Sequence, residues 1–359
     1  MSVLLPIMAK QSEPPAVRAL VVDDSVVVRT VIERILNADP GFAVVHKTSS
    51  AEHALAYLRE HEVDLVLLDI ELPGKSGLAA LPTVLRTNPR AKVVILSGNC
   101  EEGSAAAIEA LALGASDIFA KPGSGSFGEQ FPRLLIERLT RLFGQGLAEP
   151  VGAGADAAVA VDQAKAPLAC LGIGASTGGI HALGQLFAGM TAPLGVPILL
   201  TQHLPASFTS YFAQQLARMT TLRVKVAEQG DLLAPDTIYV APGYASVQLR
   251  KGLRGRVAVM LDPHRTAAGN LPGVDPMFAS MAEVYGEAAA GIVLTGMGRD
   301  GMMGAHDIVN AGGWIVAQDK ASSVVWGMPG SVAGAGLTCA LLEPYAIMDF
   351  VARRGKNRG

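Results

Sequence analysis

From Arg18 to about Leu142, short runs of aliphatic and β-branched residues alternate with stretches whose apolar positions recur at helical spacing. The runs Ala19–Val22, Ala43–Lys47, Leu65–Leu68, Lys92–Leu96 and Asp117–Ala120 predict strands, and Val28–Leu36, Glu52–Arg59 and Ala105–Leu113 predict amphipathic helices. Ser49, with Glu52 three residues on, supplies a capping-box start for one of these helices. Strand and helix in regular alternation predict a parallel, doubly wound sheet, and such sheets hold their ligands beyond the carboxyl ends of the strands. The alternation stops over GQGLAEPVGAGADAAVAVDQAKAP, where neither period persists, which predicts a flexible linker over 144–167. It resumes with Leu168–Ile173, Pro197–Thr201, Thr237–Val240, Val257–Leu261, Gly291–Leu294 and Trp314–Ala317 as strands. The expected organisation is an N-terminal tail (1–15), a first α/β domain (16–143), the linker (144–167), a second α/β domain (168–353) and a C-terminal tail (354–359).

Composition narrows this further. A chain of 359 residues exceeds one ordinary core, and 50% apolar with only 5% aromatic residues suits Ala/Gly/Val-rich α/β layers. A net charge of −3 and a pI near 6.2 leave no electrostatic footprint for nucleic acid or anionic membrane. Cys100, Cys170 and Cys339 lie far apart with no CxxC pair, so neither a disulfide framework nor a zinc site is expected, and a reducing cytoplasm fits. No apolar stretch is long enough to span a bilayer, and Pro6 directly after Leu4 and Leu5 argues against a cleavable signal. The expectation is a cytoplasmic protein without membrane insertion.

Chemistry-bearing residues fall at the predicted strand ends. Asp23 and Asp24 close the first strand and Asp69 the third, so the topology brings their carboxylates to one edge. Like charges at that range repel, and a divalent cation with a preference for oxygen relieves the repulsion. Ser97 ends the fourth strand with a hydroxyl, and Lys121, followed by Pro122, ends the fifth with an ammonium.

On Val22-Asp23-Asp24-Ser25, Leu68-Asp69-Ile70-Glu71-Leu72-Pro73 through Gly77, Ser97 and Lys121-Pro122, the first domain resembles the receiver domain of two-component response regulators, which is flavodoxin-like. The resemblance implies that Asp69 accepts a phosphoryl group from a histidine kinase. It also implies that Asp24, Asp69 and the backbone carbonyl of Glu71 ligate Mg²⁺ with Asp23 acting through water, and that Ser97 and Lys121 contact the phosphoryl oxygens. Two positions depart from the family pattern: Ser76 replaces an acidic or amide residue, and Ile118, beside Phe119, replaces an aromatic switch residue.

In the second domain, Gly172-Ile173-Gly174-Ala175-Ser176-Thr177-Gly178-Gly179 joins a predicted strand to a helix beginning near Ile180. A dinucleotide-binding turn would need glycine where Thr177 stands and an acidic residue at the next strand end, which instead reads Leu200-Thr201-Gln202-His203. The G-x-S-x-G elbow, which exposes a nucleophilic serine, fits better. His203 falls at the neighbouring strand end, where a general base belongs. Asp300 sits in the glycine-rich loop Leu294–Gly301, so Ser176, His203 and Asp300 supply nucleophile, base and orienting acid on one edge. His181, His264 and His306 are alternative bases, and Asp262 and Asp275 alternative acids. None of these histidines closes a strand beside the serine loop.

The order Ser, His, Asp differs from that of the α/β-hydrolases. Instead, Gly174–Gly179, Gln202–Phe212, Ala241-Pro242-Gly243, Val274–Phe278, Leu294–Gly301 and Gly327-Met328-Pro329 resemble the catalytic domain of the chemotaxis response-regulator methylesterase (CheB) family, with Leu204 where methionine is common. The resemblance implies a receiver followed by a Rossmann-like serine esterase domain. It implies hydrolysis of glutamyl methyl esters, and possible glutamine deamidation, on the cytoplasmic domains of chemoreceptors, with a chemotaxis histidine kinase as phosphoryl donor. In the expected mechanism Ser176 attacks the ester carbonyl, His203 Nε2 takes its proton, and the Thr177 and Met297 amides hold the oxyanion. No cofactor is expected in the esterase site. The rival expectation is a response regulator whose output domain only binds a partner protein.

Overall fold

A computed structural model describes residues 16–98, 101–121, 130–144, 166–252, 255–266 and 269–356. The N-terminal tail and Pro122 lie outside the described residues, as does the expected linker apart from its ends.

The first sheet is built from β1 (Val17–Val22), β2 (Phe42–Thr48), β3 (Leu65–Asp69), β4 (Lys92–Ser97) and β5 (Asp117–Ala120). Its order is β2-β1-β3-β4-β5, and every pair is parallel. The crossovers are α1 (Val26–Asn37), α2 (Ala51–Glu60), α3 (Gly77–Thr87) and α4 (Glu101–Leu113), and α5 (Gln130–Leu142) follows β5. β3 is buried along its whole length, as a strand covered by helices on both faces must be. The cap of α2 corrects the expectation: Ser50, not Ser49, accepts from the His53 amide at 3.3 Å. Glu52 Oε1 accepts from the Lys75 amide at 3.2 Å, so it braces the loop after β3 instead of its own helix start.

The second domain carries a seven-stranded sheet of order β14-β13-β12-β6-β7-β9-β8, again parallel throughout. Its strands are β6 (Cys170–Ala175), β7 (Ile198–Gln202), β8 (Arg223–Val226), β9 (Thr237–Val240), β12 (Ala289–Val293), β13 (Trp314–Gln318) and β14 (Thr338–Leu342). Helices α6 (Gly179–Ala188), α7 (Thr209–Met219), α8 (Val274–Tyr285), α9 (Met302–Asn310), α10 (Met328–Gly334) and α11 (Pro344–Lys356) cover it. Both expected α/β sheets are present. The expected strand at Val257–Leu261, however, is β11 (Val257–Asp262), which pairs antiparallel with β10 (Ser246–Lys251) outside the main sheet. Helix α11 also continues past 353, into the expected tail.

Glycines on β6 decide how closely α8 approaches. A Cβ on Gly174 would come within 2.6 Å of Val274, and one on Gly172 within 2.7 Å of Met281 and Phe278. Their absence lets the first turn of α8 lie directly on the strand that delivers Ser176. Phe278 and Met281 are fully buried there. Among the described residues no helix is long and apolar enough to cross a membrane.

Candidate functional site

In the receiver sheet the chain leaves β1 on one side for β2 and returns on the other for β3, so the β1/β3 edge is the switch point where ligands collect. Asp23, Asp24 and Asp69 meet there, with one oxygen of each within 4.8 Å of the others. Asp23 and Asp69 are buried and Asp24 is exposed. Lys121 Nζ lies 2.8 Å from Asp23 Oδ2 and 2.5 Å from Asp69 Oδ2. The Ser25 amide donates to Asp23 Oδ1 at 2.9 Å and the Glu71 amide to Asp69 Oδ1 at 3.1 Å, while the Arg29 guanidinium donates to the Asp23 carbonyl.

Burial pushes the Asp69 carboxyl up, and the Lys121 ammonium does not fully offset it. For Lys121 burial works the other way, but hydrogen bonds to Asp23 and Asp69 hold it above its ordinary value. One ammonium against three carboxylates leaves excess negative charge on a partly dry edge. That donor set fits a hard divalent cation. Ser97 ends β4, and its carbonyl accepts from the Lys121 amide at 2.8 Å, which holds both residues on this edge. Ser76 has a local role, since its hydroxyl caps α3 by accepting from the Ala79 amide.

The esterase sheet has its own switch point between β6 and β12. Ser176 follows β6, His203 follows β7, and Asp300 lies in the loop after β12. His203 Nε2 stands 2.8 Å from Asp300 Oδ2. Asp300 is 1% exposed, and its carboxylate also accepts from the amides of Val274 (2.9 Å), Asp275 (3.1 Å) and Gly301 (3.0 Å). Burial alone would raise the Asp300 pKa, but the His203 hydrogen bond and these amides outweigh it and hold it below the usual range. His203 therefore turns Nε2 toward Asp300, whereas the expected ring orientation had Nε2 facing the serine.

Ser176 and His203 line one cleft of about 420 Å³. Among the described residues the amides of Thr177 and Met297 have no hydrogen-bond acceptor, so both N–H groups are available to a ligand. Gly296 lies against the serine, and a Cβ on it would come within 2.7 Å of Ser176 Cβ.

Residues 171–351 match the family model for CheB methylesterase, and residues 19–126 match that for the response regulator receiver domain. The chain belongs to the CheB methylesterase family. It is 38% identical over 95% of its length to protein-glutamate methylesterase/protein-glutamine glutaminase 2 of Caulobacter vibrioides, 99% of which is covered. It is 36% identical over 98% of its length to a similarly named protein of Paramagnetospirillum magneticum, covered completely. The crystal structure of the Thermotoga maritima CheB methylesterase catalytic domain is 34% identical, with a TM-score of 0.50, 52% of this chain and 98% of that one being covered. Membership makes this chain a receiver-linked methylesterase and sets aside the non-catalytic output domain. A receiver works through phosphorylation with Mg²⁺.

The other histidine candidates in this methylesterase, and Asp262, lie elsewhere, while Asp275 adjoins Asp300. His264 pairs with Asp262 at 2.6 Å and is exposed, and His306 is exposed on α9 beside Asn310. Asp275 begins α8 and accepts from the Gly304 amide at 2.9 Å. His181 Nδ1 lies 3.0 Å from the Ala112 carbonyl of the receiver. It marks a contact between the domains that the sequence did not reveal.

Two further bonds cross that contact: the Gly178 amide donates to the Ser116 carbonyl at 3.1 Å, and Lys92 Nζ to the Val324 carbonyl at 2.9 Å. The cleft holding Ser176 and His203 is therefore walled on its far side by the receiver residues Ser97, Asp117, Ile118 and Arg138. Ile118, at the position where an aromatic switch residue was expected, faces the esterase.

Proposed function

We propose that this chain hydrolyses glutamyl methyl esters on the cytoplasmic domains of chemoreceptors, under control of Asp69 phosphorylation. The reading rests on one arrangement above all: His203, oriented by Asp300, shares a cleft with Ser176. Ser176 Oγ attacks the ester carbonyl and passes its proton to His203 Nδ1. The oxyanion is held by the Thr177 and Met297 amides, each such donor being worth roughly 2.7–4 kcal/mol of barrier. His203 then protonates the departing methoxide, and methanol leaves. Water attacks the acyl-serine with His203 again as base, which frees a glutamate carboxylate and restores Ser176. Asp300 stays ionised and stabilises the transient imidazolium. The same acyl step on a glutamine side chain would release ammonia, in keeping with the double name of the relatives.

In the receiver, Asp24, Asp69 and the Glu71 carbonyl would hold Mg²⁺, with Asp23 acting through water. The ion would neutralise charge between the carboxylate and the incoming phosphoryl group. Asp69 accepts that group from a histidine kinase, and Lys121 and Ser97 bind its oxygens. The chain works in the cytoplasm without entering the membrane, and the domains are taken as 16–143 and, through the end of α11, 168–356 around a linker at 144–167. With the receiver walling the serine cleft, a substrate as bulky as a receptor helix is excluded until phosphorylation loosens the contact. The test is methanol release from methylated receptor, with and without acetyl phosphate and Mg²⁺. The expected result is release that depends on Ser176 and rises on phosphorylation. No release in either condition would refute the reading.

A further inference from the structure

Gln202 ends β7 immediately before His203 and is only 4% exposed. Its Nε2 donates to the Ser176 carbonyl at 2.9 Å, and the Gly179 amide donates to the same oxygen at 2.8 Å. That carbonyl belongs to the peptide unit whose other end is the Thr177 N–H. A trans peptide is planar, with C=O and N–H pointing in opposite directions. Two donors that fix the carbonyl therefore fix the heading of the Thr177 N–H, which has no acceptor of its own among the described residues.

The other end of the same side chain is unusual. Gln202 Oε1 is buried and, among the described residues, receives no hydrogen bond. An unmatched buried carbonyl oxygen carries a desolvation cost that an apolar side chain of equal length would avoid. Room has also been left for it, since a Cβ on Gly179 would come within 2.4 Å of Oε1. Packing alone favours methionine or leucine here. What glutamine adds is the hydrogen bond to Ser176.

We infer that Gln202 is a positioning residue for acyl transfer, fixing the Ser176–Thr177 peptide plane so that the Thr177 amide points at the oxyanion. The inference rests on the reading of Ser176 as nucleophile and Thr177 as oxyanion donor. The bond of Gln202 is to the Ser176 carbonyl, so it acts through the backbone. Because the benefit appears only when the oxyanion forms, it belongs to kcat and not to KM.

The experiment is steady-state methanol release by the full-length protein carrying Gln202→Met, with a thermal melt alongside. The expected result is a loss of kcat of about tenfold to a hundredfold, below the cost of deleting a donor outright. KM should stay unchanged, and the melting temperature should be equal or higher because the orphaned oxygen is gone. Binding of a trifluoromethyl-ketone mimic of the tetrahedral intermediate should weaken by the same factor as kcat/KM. Should the methionine protein melt early, Gln202→Leu decides: it buries no polar atom and cannot donate to Ser176, so it should fold and show the same kcat loss. Wild-type kcat in a folded variant, or a loss carried by KM, would overturn the inference. Ser176→Ala, run in parallel, separates the levels: turnover surviving there defeats the nucleophile reading itself, whatever Gln202 does.

Discussion

Asp300 Oδ2 holds His203 Nε2 at 2.8 Å while the same carboxylate draws in the amides of Val274 and Asp275 at the start of α8. Asp300 is thus fixed by a helix N-terminus, whose unpaired N–H groups favour negative charge. Asp300→Asn keeps the outline but removes that charge and offers Nε2–H a poorer acceptor. It should lower kcat by about a thousandfold or more, as loss of a triad acid does elsewhere. Methanol release measured with receiver phosphorylation as an internal control checks this.

Asp275 lies beside Asp300, and burial, aided by that neighbouring charge, pushes its carboxyl up to about 6. A folded-state pKa raised above the unfolded value gives stability that is complete below about pH 4 and lost as pH rises through about 6. At neutral pH the pair is under strain. Asp275→Asn should therefore be at least as stable as the parent at pH 7.5, with a melting temperature higher by roughly 2–4 °C per kcal/mol relieved. Thermal melts at pH 4.5 and 7.5 test it: the parent should lose stability between the two values and the variant should lose less.

Asp69→Asn should abolish the single phosphoryl adduct that acetyl phosphate and Mg²⁺ produce, as read by intact mass. Chelating the Mg²⁺ should do the same to the parent protein. An adduct that persists on the asparagine variant would move the acceptor to Asp24, the exposed neighbour in the same cluster.

Lys92 is a receiver residue whose ammonium donates to a carbonyl of the other domain, and burial lowers its pKa to about 8. Lys92→Met removes the bond to Val324 and should release part of the domain contact. If closure limits the unphosphorylated enzyme, its basal methanol release should rise by up to about tenfold, equivalent to about 1.4 kcal/mol. A fragment beginning at Ala166 should show the larger effect. Equal turnover in fragment and full chain would leave the receiver acting by recruitment instead.

Both α/β sheets and the clustering of Asp23, Asp24 and Asp69 were legible because β-branched runs mark buried parallel strands and strand ends share an edge. The same logic placed Ser176, His203 and Asp300 together. It could not give the ring nitrogen that faces Asp300, because that depends on the approach of α8, which is set by the space over Gly172 and Gly174. β8 and β10 escaped notice because they mix charged with apolar side chains, and β14 because it is short and none of its residues is fully buried. Gln202 was read as a missing acidic residue and as the start of a family motif, without a role of its own. Its signal was its place next to His203, on a strand whose residues are all buried. The bonds between the domains join residues far apart in sequence and leave no local pattern.

The cleft over Ser176 has one wall from each domain. A small molecule shaped to touch Arg138 and Asp117 on one side and His203 on the other would have its full site only while the domains are closed. Linkage then sets its pharmacology: the factor by which phosphorylation weakens binding of the compound is the factor by which the compound disfavours phosphorylation of the receiver. Such a ligand would report the signalling state of the pathway, binding tightly to resting enzyme and poorly to stimulated enzyme.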